Sequence, residues 1–402
     1  MLLRAGRRSG KTEIAKRKII MSLPLELPHG LPGNYLWCGP TLTQTKEIAW
    51  EDLKAMVPKE WVAKISETEL KITTRFGSTL KVAGLDKPHR IEGSGYDGVV
   101  IDERSDVKPE AISRSIVPAL LDRKGWMWEI GVPKRFGCGA ETFNKRFDDI
   151  QAGKINGLAL EWESSEVVEQ SELEDLRSSM TAEDFDEQFR AMVLTIGGQV
   201  YYAFHSGEGG NVKKCAYDPN REIVVGSDMN ITPHCWNLGH HIGNEYHVFA
   251  EIALKNSNTQ MMLNRLHYLY GSHERGWCFH GDASSRARKT SANESDYLQI
   301  YNDERFFPKR VIYPKSNPPI EDRLAATNAM LCNAKGDRRL FIDPSCAVLI
   351  NDLQNRSRKE GKRELNDGPM TGHMSDALDY VMYIRFPIHL NSQGGTSRIG
   401  LV

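Results

Sequence analysis

Apolar positions along the first part of the chain alternate between short runs and stretches of helical spacing. Tyr35-Leu36-Trp37-Cys38 is a compact apolar run closed by Gly39-Pro40, the pattern of a buried strand ending in a turn. Thr43–Met56 repeats at the helical period, and Thr12–Met21 reads as another helix. Leu70–Thr73 and Thr79–Val82 alternate apolar and polar residues, with Phe76-Gly77-Ser78 as a hairpin turn between them. Gly98-Val99-Val100-Ile101 is apolar throughout, as in a parallel sheet covered on both faces, and Trp128–Val132 predicts a further strand. Strands interleaved with helices predict an α/β domain.

The pattern changes after Ser164. Ser171–Met180 is a charged helix, and Thr181 opens a second one with Glu183 and Asp184 near its positive end. Gly197-Gly198 and Gly207-Glu208-Gly209-Gly210 then punctuate the chain, which places a domain boundary near Gly197. The first domain is thus expected over 1–196 and the second over 197–390. Strands are predicted at Glu222–Asp228, Cys235–His241, Tyr246–Ile252 and Trp277–Asp282. Helices are predicted at Ser257–Tyr270, Pro344–Lys359 and Ser375–Arg385. The polar tail 391–402 is expected to be flexible.

A length of 402 residues agrees with two domains. The formal net charge is −1, so any nucleic-acid binding must rest on local basic patches such as Arg286–Lys289 and Arg356–Arg363. Both stretches read equally well as solvated faces. Seven cysteines without a C-x-x-C pair exclude a zinc ribbon or a dithiol redox motif and fit reduced thiols in a cytosolic protein. Neither a membrane-spanning apolar run nor a signal peptide is evident.

Candidate chemistry begins almost at the N-terminus. Arg4-Ala5-Gly6-Arg7-Arg8-Ser9-Gly10-Lys11-Thr12 resembles a phosphate loop. Such a loop uses backbone N–H groups at a helix start, a lysine for the β/γ-phosphates and a hydroxyl for Mg²⁺. Ala5 stands where the first glycine of the pattern falls, and Gly6 comes one residue late, so this is a variant loop; a chance match in a basic segment is the other reading. The strand ending Val99-Val100-Ile101-Asp102-Glu103 supports the first. Asp102 would hold Mg²⁺ through water, and Glu103 would orient or deprotonate the attacking water. Tandem acids there indicate nucleotide hydrolysis more than transfer to an acceptor. Arg90 lies just ahead of that strand, either as an arginine finger for a neighbouring subunit or as a solvated loop residue.

In the second half, Asp228 and Asp282 each end a strand and Asp376 opens a helix. Acids so ordered suit a pair of divalent ions, Mg²⁺ or Mn²⁺, that would cleave a phosphodiester. Each alone is equally a turn or cap residue. Asp379 and Asp296 are rivals, and His373 is either a helper at the site or a capping residue.

Together these residues resemble the large subunit of the phage DNA-packaging terminase. The likeness rests on Arg4–Thr12, Tyr96–Glu103, Gly131–Lys134, Asp186–Phe189, Gly198–Tyr201, Gly226–Asp228, Gly281–Ser284 and His373–Tyr380. It implies an additional-strand P-loop ATPase domain, with the linker, joined to an RNase H-like nuclease. It implies ATP-driven translocation of double-stranded DNA into a procapsid and two-metal cutting of concatemeric DNA. The implied partners are the portal protein and the small terminase subunit. The family forms a homo-oligomeric ring on the procapsid in the host cytoplasm. The residues implied at the ATP site are Arg7, Arg8, Ser9, Gly10, Lys11, Thr12, Asp102 and Glu103, with Thr12 and Asp102 at the metal. Asp228, Asp282 and Asp376 are implied at the nuclease metals.

Two departures stand out. With so little ahead of Arg4, the loop is expected to lack most of its leading strand and the adenine-contacting glutamine, as in a truncated chain. Val132 replaces a hydroxyl residue of the coupling motif. The competing readings are a helicase-like translocase whose C-terminal half docks DNA without cutting it, and an integrase-like RNase H fold with a regulatory ATPase. The latter class commonly uses glutamate where Asp376 stands.

Overall fold

The computed structural model describes residues 1–194, 197–229, 233–286, 294–359, 364–368, 371–388 and 399–401. Asn230, residues 287–289 and 360–363 of the two basic stretches, and most of the tail lie outside the described residues. The chain divides into two compact units. One comprises Met1–Leu173 and Phe185–Thr195; the other comprises Glu174–Asp184 and Ile196–Val402. The short segment is held within the second unit by Asn333 Nδ2 donating to Ser178 O at 2.9 Å and Ala334 N donating to Met180 O at 2.7 Å. No described helix is long and apolar enough to cross a membrane.

The first unit is built on one sheet. Its strands are β1 (Leu2–Ala5), β2 (Asn34–Gly39), β3 (Val62–Ser66), β4 (Lys71–Thr74), β5 (Thr79–Gly84), β6 (Gly98–Ile101), β7 (Trp126–Gly131) and β8 (Ala159–Trp162). They lie in the order β3-β4-β5-β2-β6-β7-β1-β8. The six strands from β5 to β8 are parallel, and β3 and β4 extend the sheet antiparallel. Leu3, Tyr35, Trp37 and Val100 face one core, and Leu36, Val99 and Ile101 face another, as strand alternation requires.

β7 separates β1, which leads into the phosphate loop, from β6, which carries the tandem acids. That interposed strand is the additional-strand arrangement. The leading strand expected to be largely missing is present: Leu2, Leu3, Arg4 and Ala5 are all buried, and β1 pairs with β7 and β8.

The expected helix over Thr43–Met56 is interrupted by a π turn at Lys46–Trp50. The widened turn presents Ile48 O to Lys16 Nζ at 3.1 Å, beside the Lys16–Asp52 ion pair. Sequence patterning did not reveal β8 or the helix Ala140–Gln151. β8 has a mixed burial pattern at the sheet edge, and the helix buries only Ala140, Phe143 and Phe147.

The second unit contains β9 (Ile223–Asp228), β10 (His234–Ile242), β11 (Glu245–Leu254), β12 (Trp277–His280), β13 (Lys309–Pro314), β14 (Leu340–Ile342) and β15 (Ile399–Leu401). Their order is β14-β11-β10-β9-β12-β13-β15. β9, β10 and β11 form an antiparallel meander, while β12 and then β13 join parallel on the other side of β9. This third-second-first-fourth-fifth order is RNase H-like. β9 alternates between two cores. Val224 packs with Met374, Leu378 and Val381 of the helix His373–Arg385, whereas Ile223 and Val225 pack with Met262 and Leu266 of the helix Thr259–Tyr270.

Some expectations change here. The helix expected over Pro344–Lys359 is confined to Ala347–Asn355, and the last helix starts at His373. The helix Ile320–Leu331 was hidden because Arg323, Thr327 and Asn328 occupy buried positions and break its apolar period. Ile399–Leu401, within the tail expected to be flexible, pair with β13, whose outer edge offers free backbone groups.

Candidate ATP and nuclease sites

The phosphate loop joins β1 to the helix Lys11–Ser22. Gly10 caps that helix at φ 82°, a left-handed conformation that costs glycine little, and Arg8 is also left-handed at φ 58°. Lys11 Nζ is buried and donates to Gly6 O at 3.2 Å. Burial lowers the Lys11 pKa, opposed by Glu103 and Asp102. Ser9 Oγ and Asp102 Oδ2 are buried without a hydrogen-bond partner. A helix N-terminus, a buried ammonium, an unpartnered hydroxyl and an unpartnered carboxylate oxygen fit a phosphate chain with its hard cation. Thr12, half-buried on the first turn, can add its hydroxyl.

A clamp not evident from the sequence fixes the loop from outside. Ser164 Oγ donates to Arg7 O at 2.6 Å, Trp162 Nε1 to Ser9 O at 2.9 Å, and Arg7 N to Gln188 O at 2.7 Å. These partners come from β8, the turn after it and the returning segment Phe185–Thr195. Gly6 sits inside the clamp: a Cβ there would lie 2.3 Å from Ser164 Oγ and 2.4 Å from Phe189 O. The late glycine is therefore a packing requirement. Gly6→Ala is expected to destabilise the first unit by about 1–3 kcal/mol through overpacking. Calorimetry of the full chain would show one transition shifted down; an unshifted profile would mean the clamp yields freely.

Asp102 is buried at the tip of β6 and accepts the Glu103 N–H at 2.8 Å. Burial, and then Glu103, push its pKa up to about 7, opposed by Lys11. Burial alone would raise Glu103, but Lys134 and then Lys11 pull it below the usual carboxylate value. Arg7, Lys11, Asp102, Glu103 and Lys134 thus share one electrostatic site. Arg8 is exposed and lies 3.7 Å from Glu172 Oε2. Arg90 is exposed on the 3₁₀ turn Pro88–Arg90, where its carbonyl accepts from Lys81 Nζ at 3.3 Å.

In the second unit, β9 and β12 are parallel neighbours with Gly226 opposite His280. The chain runs on two residues past each, to Asp228 at the end of β9 and to Asp282 just beyond β12. Asp228 Oδ2 is 2.8 Å from His373 Nδ1, so His373 is a partner of the strand acid. Asp282 accepts from the N–H groups of Ser284 and Ser285 at 3.3 and 3.2 Å and from both their hydroxyls.

Asp376, on the first turn of the last helix, faces Arg356 Nη1 at 3.1 Å and Arg323 Nη1 at 3.4 Å. The three acids act on a common neighbour, Tyr380. Burial raises its phenol pKa most; Arg323 opposes, and Asp282, Asp376 and Asp228 add to the rise. Their all-oxygen donor set suits a hard divalent ion. Yet among the described residues no three potential ligands are gathered as a metal cluster. Arg356, Arg323 and His373 hold two of the acids instead.

The rivals separate by environment. Asp379 is buried and accepts from Tyr201 OH at 2.9 Å and Thr327 Oγ1 at 2.6 Å; burial, then Asp376, push its pKa up to about 6. Asp296 is buried and accepts from Thr259 Oγ1 at 2.6 Å. Both sit in the packing around the site. Arg356, read from sequence as part of an exposed basic stretch, is buried and binds Asp367 through two hydrogen bonds at 2.9 and 2.8 Å. Arg358 pairs with Glu321 at 2.8 Å. Neither residue belongs to a solvated face. Arg286 is exposed.

No protein-family model and no curated protein matches this chain. Among solved structures it is similar to the large terminase of a thermophilic bacteriophage, with a TM-score of 0.62 at 14% identity. That match covers 96% of this chain and 93% of the other. The same phage protein in complex with ADP gives a TM-score of 0.60 at 14% identity over 95% and 92% of the two chains. Its complex with ATP-gamma-S gives 0.58 at 14% identity over 95% and 93%. Strand order and full-length similarity agree: this chain has the fold of a phage large terminase, a P-loop additional-strand domain followed by an RNase H-like domain.

Proposed function

We propose that this chain is a terminase large subunit, in which the first unit hydrolyses ATP to move double-stranded DNA into a procapsid and the second cuts concatemeric DNA. One observation carries the reading. A phosphate loop facing tandem acids across an additional strand, and an acid at or just beyond the end of each of two adjacent RNase H-like strands, occur together in a single chain. The nucleotide complexes of the thermophilic phage protein support ATP as the ligand.

At the first site Lys11, Ser9 and the loop N–H groups bind phosphate oxygens, and Thr12 and Asp102 hold Mg²⁺. Glu103 orients the attacking water and takes its proton. Arg7 adds positive charge, Arg8 extends the basic rim, and exposed Arg90 is available to a neighbouring subunit of a ring. At the second site Asp228, Asp282 and Asp376 hold Mg²⁺ or Mn²⁺; His373 orients Asp228. Bound divalent ions there would stabilise the attacking and leaving oxygens of a phosphodiester. Asp376 is favoured over Asp379 because its side chain is 27% exposed while Asp379 is enclosed.

The chain works with the portal protein and a small terminase subunit in the host cytoplasm. The non-cleaving helicase-like alternative gives no role to the acids at the end of β9 and just beyond β12, Asp228 and Asp282. ATP hydrolysis by the purified chain should rise severalfold on adding linear double-stranded DNA, measured as phosphate release. Hydrolysis indifferent to DNA would contradict a packaging motor.

A further inference from the structure

Lys134 follows β7 by three residues and therefore emerges between β1 and β6. Its Nζ lies 2.9 Å from Glu103 Oε2 and 2.5 Å from Asp106 Oδ2. An ammonium with three donors can hold two carboxylates at once. Asp106 closes the 3₁₀ turn Arg104–Asp106 that begins directly after Glu103. Ser105 Oγ, from the same turn, donates to Val132 O and ties the backbone ahead of Lys134 to it. A buried ion pair, Arg104 Nε with Glu129 Oε2 at 2.8 Å, joins the turn to β7 itself.

The geometry at Glu103 is constrained from both ends. Its backbone is left-handed at φ 48°, which costs a residue with a side chain of order 1–3 kcal/mol. Its N–H is taken by Asp102 and its carboxylate by Lys134. Stability gives a weak reason for the Lys134 contacts. The three side chains are half-buried, at 22%, 24% and 33% exposure, where desolvating the charges offsets much of what the pairs gain. A constrained acid at the site, held by a cation that adds little stability, calls for a role in orientation.

We propose that Lys134 is a positioning residue of the ATPase site: anchored by Asp106, it fixes the Glu103 carboxylate in the orientation used for hydrolysis. This rests on the first unit being an ATPase. Arg7 and Lys11 also bear on Glu103 electrostatically, but they belong to the phosphate loop and answer to the nucleotide. Lys134 comes from a different strand and sets Glu103 independently of the loop.

The test uses the full chain, with steady-state ATP hydrolysis and thermal denaturation measured on the same preparations. Lys134→Met should lower kcat about 10²-fold, the scale of a misplaced catalytic group, with KM for ATP and Tm nearly unchanged. Lys134→Arg should recover much of kcat, because a guanidinium can still bridge Glu103 and Asp106. Asp106→Asn should fall between. A lowered Tm with kcat intact would make the contact structural and overturn the proposal. A raised KM with kcat intact would make Lys134 a nucleotide contact and overturn it too. Wild-type protein that bound Mg·ATP but turned none over would overturn both the proposal and the ATPase reading, whereas a failure confined to the Lys134 variants would leave that reading standing.

Discussion

Glu103→Gln should lower ATP turnover by the intact chain about 10²–10⁴-fold, the usual contribution of a positioned general base. The amide keeps the side chain's size and can still accept from Lys134, so the turn Arg104–Asp106 should hold. What disappears is the capacity to take a proton from water. Asp102, whose pKa is raised in part by its charged neighbour, should ionise more readily in this variant. Nucleotide binding should therefore persist or tighten. Phosphate release and titration calorimetry with Mg·ATP separate the two effects. Turnover within about threefold of wild type would remove Glu103 from the chemistry, since a general base is worth far more than that.

Asp228→Ala should reduce Mn²⁺-dependent cleavage of plasmid DNA by on the order of 10³-fold, equivalent to losing several kcal/mol of metal-borne charge stabilisation. Three features single out this residue. It ends β9, whose neighbour β12 leads into Asp282; it is held by His373; and with Asp282 and Asp376 it acts on Tyr380. The second unit has its own sheet and two apolar cores, so ATP hydrolysis should be unaffected. Nicking and linearisation on agarose gels, alongside phosphate release, report both. Undiminished cleavage would move the nuclease centre elsewhere.

Much of this was legible in the sequence because the carrying segments are strands with uniform burial. Val99–Ile101 and Ile223–Val225 read as buried strands directly, and the acids after them followed from position. The helix after the phosphate loop was legible from Gly10-Lys11-Thr12, though the pattern places its start at Thr12 and it begins at Lys11. The hidden features depend on contacts between segments far apart in the chain. The Ser164, Trp162 and Gln188 clamp explains Gly6, yet nothing local to Gly6 announces it. Lys134 lay in a recognised motif, but its reach to Glu103 depends on β7 standing beside β6. Arg356 looked like one of several surface cations, and only the fold buries it against Asp367 and Asp376. The helix Ile320–Leu331 was concealed because polar residues that serve the site interrupt its apolar face.

Two separable catalytic centres in one chain, one for ATP and one for DNA, are tested most directly in a single reaction. Plasmid DNA, ATP, Mg²⁺ and Mn²⁺ are combined, and phosphate release and DNA cleavage are followed together for wild type, Glu103→Gln and Asp228→Ala. The expected result is a double dissociation: Glu103→Gln loses phosphate release but still cuts, and Asp228→Ala stops cutting but still hydrolyses ATP. Well-folded variants that lost both activities together, or neither, would contradict it.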